Sequence, residues 1–209
     1  MMLILLDNSK DMISEKSERF RMTFGQLRTP LSGYKKAGLT VGIDNGCFSE
    51  PLNHTTWYRI ISEHKDDQEL KFVTLPDVVG SARRTLEVFE YFAEKVTQKR
   101  CLVAQDGQEN LPIPWDRIDA IFIGGSDVFK DGPYAMQIAK TAKLLGKWVH
   151  VGRVNSIARV RMWKNIADSC DGTGLSKYDH MLANAVKEIR GEGLSEYQTG
   201  DLFSTVENF

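Results

Sequence analysis

The side chains of this sequence that could do chemistry are carboxylates and amides that directly follow short apolar segments. Residues 39–43 (LTVGI) form one such segment, short and β-branched as a buried strand is, and Asp44 ends it. A single aspartate at a strand end is equally well explained by capping of the next turn. The pattern recurs along the chain, however, and its recurrence indicates a functional site. The residues that end successive predicted strands are Asp44, Asp77, Gln105, Gly125, Gly152 and Asp171.

Apolar segments alternate with helical segments along the chain, and no two neighbouring strands read as a hairpin. Strand ends from Asp44 to Asp171 follow one another at intervals of 19 to 33 residues, which suits βα units. Alternation of this kind predicts a parallel sheet. Seven strands are predicted, at residues 2–6, 39–43, 71–75, 101–104, 120–123, 148–151 and 169–170.

A polar residue or a glycine at every strand end is typical of the catalytic face of a TIM barrel. A doubly wound sheet also alternates strands with helices, but it usually places its ligand groups at one switch point. The sequence therefore predicts an α/β fold, a (β/α)8 TIM-type barrel that is either complete or trimmed at one strand. The eighth strand is irregular, hidden in residues 28–38 or in the C-terminal tail, or missing.

Length and composition indicate one ordinary globular domain. The chain has 209 residues, of which 42% are hydrophobic and 26% charged. We expect a single barrel domain over residues 1–191 and a polar C-terminal tail over residues 192–209. No apolar run is long enough to span a membrane, and the first seven residues are too short and lack the basic start of a signal peptide. We therefore expect a cytoplasmic protein with no membrane partner.

The cysteines and histidines do not form the pattern of a metal site. Cys47, Cys101 and Cys170 are odd in number and far apart, which argues for a reducing compartment and against a disulfide framework. The four histidines are scattered without the spacing of a zinc site. We expect neither a metal nor another cofactor.

Although the net charge is −1, one segment in the second half of the chain is strongly basic. No acidic residue lies between Asp131 and Asp168, and a one-sided patch of positive charge there could contact phosphates. The segment is equally well explained as the solvated face of two consecutive helices, so both interpretations stay open. Its basic residues are Lys140, Lys143, Lys147, Arg153, Arg159, Arg161 and Lys164.

A barrel would bring the three aspartates and Gln105 together over its mouth, beside the backbone of Gly124, Gly125 and Gly152. This set suits a retaining exchange at an anomeric carbon, in which one carboxylate attacks the sugar and a second acts as acid and then base. Carboxylate, amide and backbone groups also match the edge of a purine-like base. The same residue types occur in Mg²⁺-binding barrels and in glycosidases, so the chemistry alone leaves these alternatives open.

Six short motifs follow one another in order over residues 44–171, and together they resemble one known family. They are residues 44–49 (DNGCFS), 75–77 (LPD), 103–107 (VAQDG), 123–126 (IGGS), 149–154 (VHVGRV) and 168–171 (DSCD). The motifs are similar to those of the tRNA-guanine transglycosylase superfamily, and particularly of its short phage-type branch, which places 7-deazaguanines in DNA.

The resemblance implies a role for each candidate residue. Asp171 would be the nucleophile and Asp44 the acid/base. The implied substrate-binding residues are Asp77, Gln105, Gly124, Gly125, Gly152 and Arg153. Arg153 and Lys130 are candidate phosphate contacts, although for each of them we favour the interpretation as an ordinary solvated surface residue.

The implied protein is a pentosyltransferase that replaces guanine in DNA by a 7-deazaguanine through a covalent aspartyl-nucleotide intermediate. It would use DNA and a free base such as 7-cyano-7-deazaguanine, with no metal or redox cofactor. It would act in the cytoplasm, the host's if the gene is carried by a phage, as a monomer or as a homo- or hetero-oligomer.

Departures from the family pattern favour DNA over tRNA. The tRNA enzymes carry a zinc-binding Cys-x-Cys-x-x-Cys…His pattern after the nucleophile, and nothing like it follows Asp171. In the first motif, Ser49 stands in place of a glutamine and Cys47 in place of a glycine, so contacts to the base differ. The alternatives are a tRNA guanine transglycosylase that docks RNA by other means, a non-catalytic nucleic-acid-binding partner of such an enzyme, and an unrelated barrel hydrolase.

Overall fold

The structure, a computed structural model, describes residues 1–192, and it confirms the predicted barrel. Eight parallel strands close in sequence order, and the last strand pairs with the first through Leu3 and Ser169 and through Ile4 and Cys170. Apart from Glu192, the predicted polar tail lies outside the described residues. The strands are β1 (Leu3–Leu6), β2 (Gly25–Arg28), β3 (Val41–Ile43), β4 (Leu70–Thr74), β5 (Arg100–Ala104), β6 (Ala120–Ile123), β7 (Trp148–Val151) and β8 (Ser169–Cys170).

Helices follow every strand except β2 and β5, after which the described chain continues as a loop or as short 3₁₀ turns at residues 108–110 and 115–117. Within residues 1–192, no helix has the length and apolar character needed to cross a membrane. The helices are α1 (Lys10–Phe20), α2 (His54–Glu63), α3 (Ala82–Ala93), α4 (Asp127–Lys130), α5 (Pro133–Leu144), α6 (Ile157–Trp163), α7 (Thr173–Lys177) and α8 (Asp179–Arg190).

The strand that the sequence analysis did not locate is β2, and its position differs from the expected ones. It lies at Gly25–Arg28, so it ends where the segment of residues 28–38, one of the expected locations, begins. It is not an apolar run, because Gln26 and Arg28 point away from the barrel and are only 1% and 2% exposed. The Gln26 amide donates to the carbonyl of Lys35 at 2.9 Å, and the Arg28 guanidinium donates to Glu63 at 2.9 Å. These distant partners allow a polar sequence to form a buried strand.

The barrel interior is filled by the inward side chains of alternate strand positions, as in other barrels of this size. A cluster formed by Leu5, Leu27, Phe72, Cys101 and Ala120 packs inside the barrel, while a larger apolar cluster lies between the strands and the helices. Toward the carboxyl ends of the strands, the inner cluster gives way to a cavity that is lined by polar side chains such as Asp7 and Thr29 and by the apolar side chains of Val103 and Phe122.

Gly42 on β3 makes room for the largest side chain of the inner cluster. A Cβ atom at this position would lie 2.2 Å from Cζ of Phe72, far inside van der Waals contact. Because Phe72 is completely buried by neighbouring strands, its ring cannot move aside without displacing them. The glycine in the predicted strand LTVGI is therefore required by packing.

We predict that Gly42→Ala lowers the free energy of unfolding by about 1–3 kcal/mol because it overpacks the barrel interior. Urea denaturation followed by circular dichroism measures the change. Gly33→Ala is the matched control, since its Cβ would meet nothing within 4 Å, and we expect a change within about 0.5 kcal/mol. Equal stability of the two variants would contradict this account of the interior.

Candidate active site

A cavity of about 1180 Å³ opens at the carboxyl ends of the strands, and most of the predicted site residues line it. Side chains at the ends of β3, β4, β5, β7 and β8 meet there although they are far apart in sequence. Seven of the eight candidates line the cavity: Asp44, Asp77, Gln105, Gly124, Gly125, Arg153 and Asp171. Gly152 differs, because it is not among the residues that line the cavity. A Cβ there would be 2.3 Å from the Phe122 ring, so the small size of Gly152 serves packing.

Asp171 follows β8 and is held by one hydrogen-bond donor on each carboxylate oxygen. His150 Nε2 lies 2.8 Å from Oδ2, and the backbone N–H of Arg153 donates to Oδ1 at 3.1 Å. Arg153 has a left-handed backbone with φ of 58°, a conformation that non-glycine residues rarely adopt and that turns its N–H toward Asp171. The Asp171 side chain is 14% exposed and faces the cavity, so its oxygens are ordered and still accessible.

Asp44 follows β3, and its environment favours the protonated form. Burial raises the pKa of its carboxyl to about 7, and the negative charges of Asp171 and Asp77 act in the same direction. Hydrogen bonds from the backbone N–H groups of Asn45 and Gly46 oppose the rise. A carboxyl with a pKa near 7 can both give and accept a proton at neutral pH.

Asp77 is held between two amide side chains from the neighbouring strand ends. Asn45 Nδ2 donates to Oδ1 at 2.8 Å, and Gln105 Nε2 donates to Oδ2 at 2.5 Å. Burial raises the pKa of Asp77, while these two hydrogen bonds oppose the rise. The Gln105 carbonyl oxygen accepts from the backbone N–H of Gly80 at 2.9 Å, so the amide is fixed at both ends. Asp77 and Gln105 thus form one rigid polar row along the cavity wall.

The Gly124-Gly125 turn continues this wall at the end of β6. A Cβ on Gly124 would lie 2.6 Å from the Val103 side chain and 3.3 Å from Gln105 Nε2, so a side chain would displace the polar row. Gly125 has a left-handed backbone with φ of 70°, which glycine adopts without strain. Its carbonyl oxygen accepts from the Arg153 guanidinium at 2.5 Å, which ties the turn to the loop after β7.

Arg153 and Lys130 occupy positions other than the solvated surface. The Arg153 guanidinium lies 3.7 Å from the centroid of the Phe48 ring, and this cation–π pair spans the rim of the cavity. Lys130 is fully buried and donates to the Gly152 carbonyl at 3.2 Å, so its interpretation as a surface residue is wrong. Burial, with the nearby positive charges of Arg153 and Arg159, lowers the pKa of Lys130 to about 8.

The polar residues of the site that the sequence analysis did not predict include Asp7, Asn45 and His150. Asp7 lines the cavity after β1, and burial together with the Asp171 charge raises its pKa. The strand-end pattern that selected the other aspartates was present at Asp7 and could have found it. His150 lies inside β7 in an apolar run, and no spacing in the sequence indicates that it contacts Asp171.

The comparisons with known proteins leave the site to be interpreted from its geometry. No model of a known protein family matches the chain. No curated protein is significantly similar to it in sequence. Within residues 1–192, no group of three or more histidine, cysteine, aspartate or glutamate side chains has the arrangement of a metal site. The cavity presents carboxylates with different hydrogen-bond donors, the two fixed amides of Asn45 and Gln105, and exposed backbone groups.

We predict that Asp44 titrates near pH 7 and that its burial makes stability fall as the pH rises. Between the ordinary pKa of 3.8 and about 7, the folded protein holds a proton that the unfolded chain has lost. The stability of Asp44→Asn relative to the unsubstituted protein should therefore increase by roughly 1–4 kcal/mol between pH 4 and pH 8. Carbon-13 NMR of the Asp44 carboxyl and urea denaturation across this range measure both effects.

Asp116→Asn is the control for this titration, because Asp116 is exposed on a 3₁₀ turn at the opposite end of the barrel. Its stability should follow that of the unsubstituted protein across the same pH range. A carboxyl midpoint near pH 4 for Asp44, with parallel stability curves for Asp44→Asn and the unsubstituted protein, would contradict the burial of Asp44.

Proposed function

We propose that this protein is a base-exchange transglycosylase that replaces guanine in DNA by a 7-deazaguanine. The observation that carries the proposal is the pairing of two unlike aspartates across one cavity. Asp171 has both oxygens held by N–H donors, as suits an attacking carboxylate, whereas the pKa of Asp44 is raised to about 7, as suits an acid and base. Carboxylates with environments this different are the usual basis for dividing nucleophile and proton-transfer roles.

In the first step, a carboxylate oxygen of Asp171 attacks C1′ of the target nucleotide. The C1′–N9 bond breaks, its electron pair passes to N9 of guanine, and protonated Asp44 supplies the proton that neutralises the leaving base. The products are free guanine and a nucleotide joined to Asp171 through an ester-like C1′–O bond. Extrusion of the target nucleotide from a duplex would cost a few kcal/mol before this step.

In the second step, a 7-deazaguanine takes the place of guanine in the same cavity. Its N9 attacks C1′ while Asp44, now a carboxylate, accepts the N9 proton. The bond between C1′ and Asp171 breaks and returns its electron pair to the carboxylate, so that both aspartates regain their starting states. Two successive displacements restore the original configuration at C1′.

The polar row and the glycine turn are suited to hold the base. Asp77 can accept hydrogen bonds from the N–H groups of a guanine-like ring, while Asn45 and Gln105 fix its position. The backbone of Gly124 and Gly125 lies beside this row and can contact the remaining polar groups of the base. Arg153 places a positive charge at the rim, where a phosphate of the bound strand would pass.

The size of the cavity supports a substrate larger than a free base. Pockets for small molecules usually measure 300–1,000 Å³. The volume of about 1180 Å³ leaves room for a base together with part of a nucleotide chain. This agrees with a polymer substrate that enters the cavity through one extruded nucleotide.

We predict that radiolabelled guanine or 7-cyano-7-deazaguanine is incorporated into duplex DNA by the unsubstituted protein. Asp171→Asn should abolish both incorporation and the covalent protein–DNA adduct, because an amide does not form the bond to C1′. Asp44→Asn should lower incorporation at least about 100-fold, since removal of an acid–base group costs 10²–10⁴-fold. Filter binding of the label and denaturing gel electrophoresis of the adduct give the two readouts.

Asp116→Asn is the matched control and should retain full incorporation, because it removes an exposed carboxylate outside the cavity. The same reactions are run with tRNA in place of DNA. Label that enters tRNA and never DNA would replace the DNA proposal by the tRNA alternative. Absence of label in both polymers, alike for the unsubstituted protein and Asp171→Asn, would overturn the proposal in favour of a binding protein or a hydrolase.

A further inference from the structure

A chain of hydrogen bonds runs through the barrel interior from β7 to Asp171. Trp148 Nε1 lies 2.9 Å from the Ser169 hydroxyl, the same hydroxyl lies 2.8 Å from His150 Nδ1, and His150 Nε2 lies 2.8 Å from Asp171 Oδ2. His150 and Ser169 are fully buried. None of the steps proposed above uses these three residues, although they end on the nucleophile.

The donor inventory fixes the two ends of this chain, and a neutral imidazole fixes its middle. The indole N–H of Trp148 can only donate, so Ser169 accepts from it and has one hydroxyl hydrogen left to donate. A carboxylate can only accept, so Nε2 of His150 must carry the hydrogen directed at Asp171. When the imidazole is neutral, the Ser169 hydroxyl donates to His150 Nδ1, and every hydrogen of the chain Trp148, Ser169, His150, Asp171 then points toward the carboxylate. Bonds aligned in this way strengthen one another.

Packing holds the imidazole ring of His150 in place. The centroid of the ring lies 4.7 Å from the centroids of both Phe72 and Phe122. Phe72 is the ring that requires Gly42, and Phe122 is the ring that requires Gly152, so both aromatic neighbours are themselves tightly packed. The ring of His150 therefore cannot turn without displacing the floor of the cavity.

We propose that His150 is a positioning residue for Asp171, oriented by Ser169 and Trp148, and that it anchors Oδ2 so that Oδ1 is the oxygen that attacks C1′. The role in attack rests on the proposed function. Oδ1 accepts only the longer bond of 3.1 Å, from the backbone of Arg153, and is the less tightly held oxygen. A displacement of about 1 Å at an attacking atom can lower the rate about 100-fold. Loss of the hydrogen bond from His150 should therefore lower the rate of attack by Asp171.

The kinetic test compares two substitutions of His150 in the full chain. His150→Phe keeps an aromatic ring between Phe72 and Phe122 but removes the N–H, and we expect kcat for base exchange to fall about 100-fold with KM for the free base changed less than about 2-fold. His150→Gln carries an N–H near the position of Nε2, and we expect it to recover at least about 10-fold of that loss. Ser169→Ala keeps His150 and should lower kcat by only about 3–10-fold.

His64→Gln is the control for the loss of a buried histidine, because His64 is 1% exposed, contacts Arg28 and Asp67, and does not line the cavity. It should keep the full kcat per folded molecule, with thermal unfolding used to correct for the folded fraction. A role in packing alone would leave kcat per folded molecule unchanged in His150→Phe as well. A kcat of folded His150→Phe within about 3-fold of the unsubstituted protein would overturn the positioning role.

A second measurement separates this inference from the proposed function. Nitrogen-15 NMR should show a hydrogen on Nε2 of His150, and Asp171→Asn should shift the His150 signals while Asp116→Asn should not. A hydrogen on Nδ1 alone, or signals insensitive to Asp171→Asn, would overturn the inference even in an active enzyme. If the protein exchanges no base in DNA or tRNA, the NMR result still decides whether His150 anchors Asp171.

Discussion

The crowding of carboxylates at the mouth of the barrel is the constraint on which the site depends. Closing eight strands into a ring brings Asp7, Asp44, Asp77 and Asp171 into one cavity. Burial disfavours negative charge at Asp7, Asp44 and Asp77, and the charge of Asp171 adds to this effect at Asp7 and Asp44. An arrangement of this kind costs stability and persists only when each carboxylate finds a proton or a set of donors. The groups around each aspartate provide these donors or favour its protonated form.

The aspartates differ in the groups that stabilise them, and the cavity therefore contains carboxylates suited to different chemical roles. Asp77 takes N–H donors from two amides, and Asp171 takes one from an imidazole and one from the backbone. Asp44 has only backbone donors to oppose its burial, and the pKa of its carboxyl rises to about 7. Similar residues thus acquire different sets of hydrogen-bond donors from their neighbours, and buried carboxylates with a raised pKa are associated with functional sites.

The rigidity of these neighbours comes from the packing of large rings against glycines inside the barrel. Phe72 fills the space left by Gly42, Phe122 fills the space left by Gly152, and the two rings enclose His150. Hydrogen-bond partners that cannot move provide a fixed geometry at no further entropic cost when a ligand binds. The same layer of side chains therefore stabilises the barrel and orders the floor of its cavity.

The sequence by itself determined the βα alternation, seven of the eight strands and the side chains at their ends, because apolar periodicity and strand-end polarity are local properties. It did not reveal β2, since Gln26 and Arg28 are buried by partners on other elements. Nor did it distinguish Lys130 as buried or His150 as a neighbour of Asp171. Only the tertiary structure decides these points, because a buried polar group is stabilised by donors and acceptors that are distant in sequence.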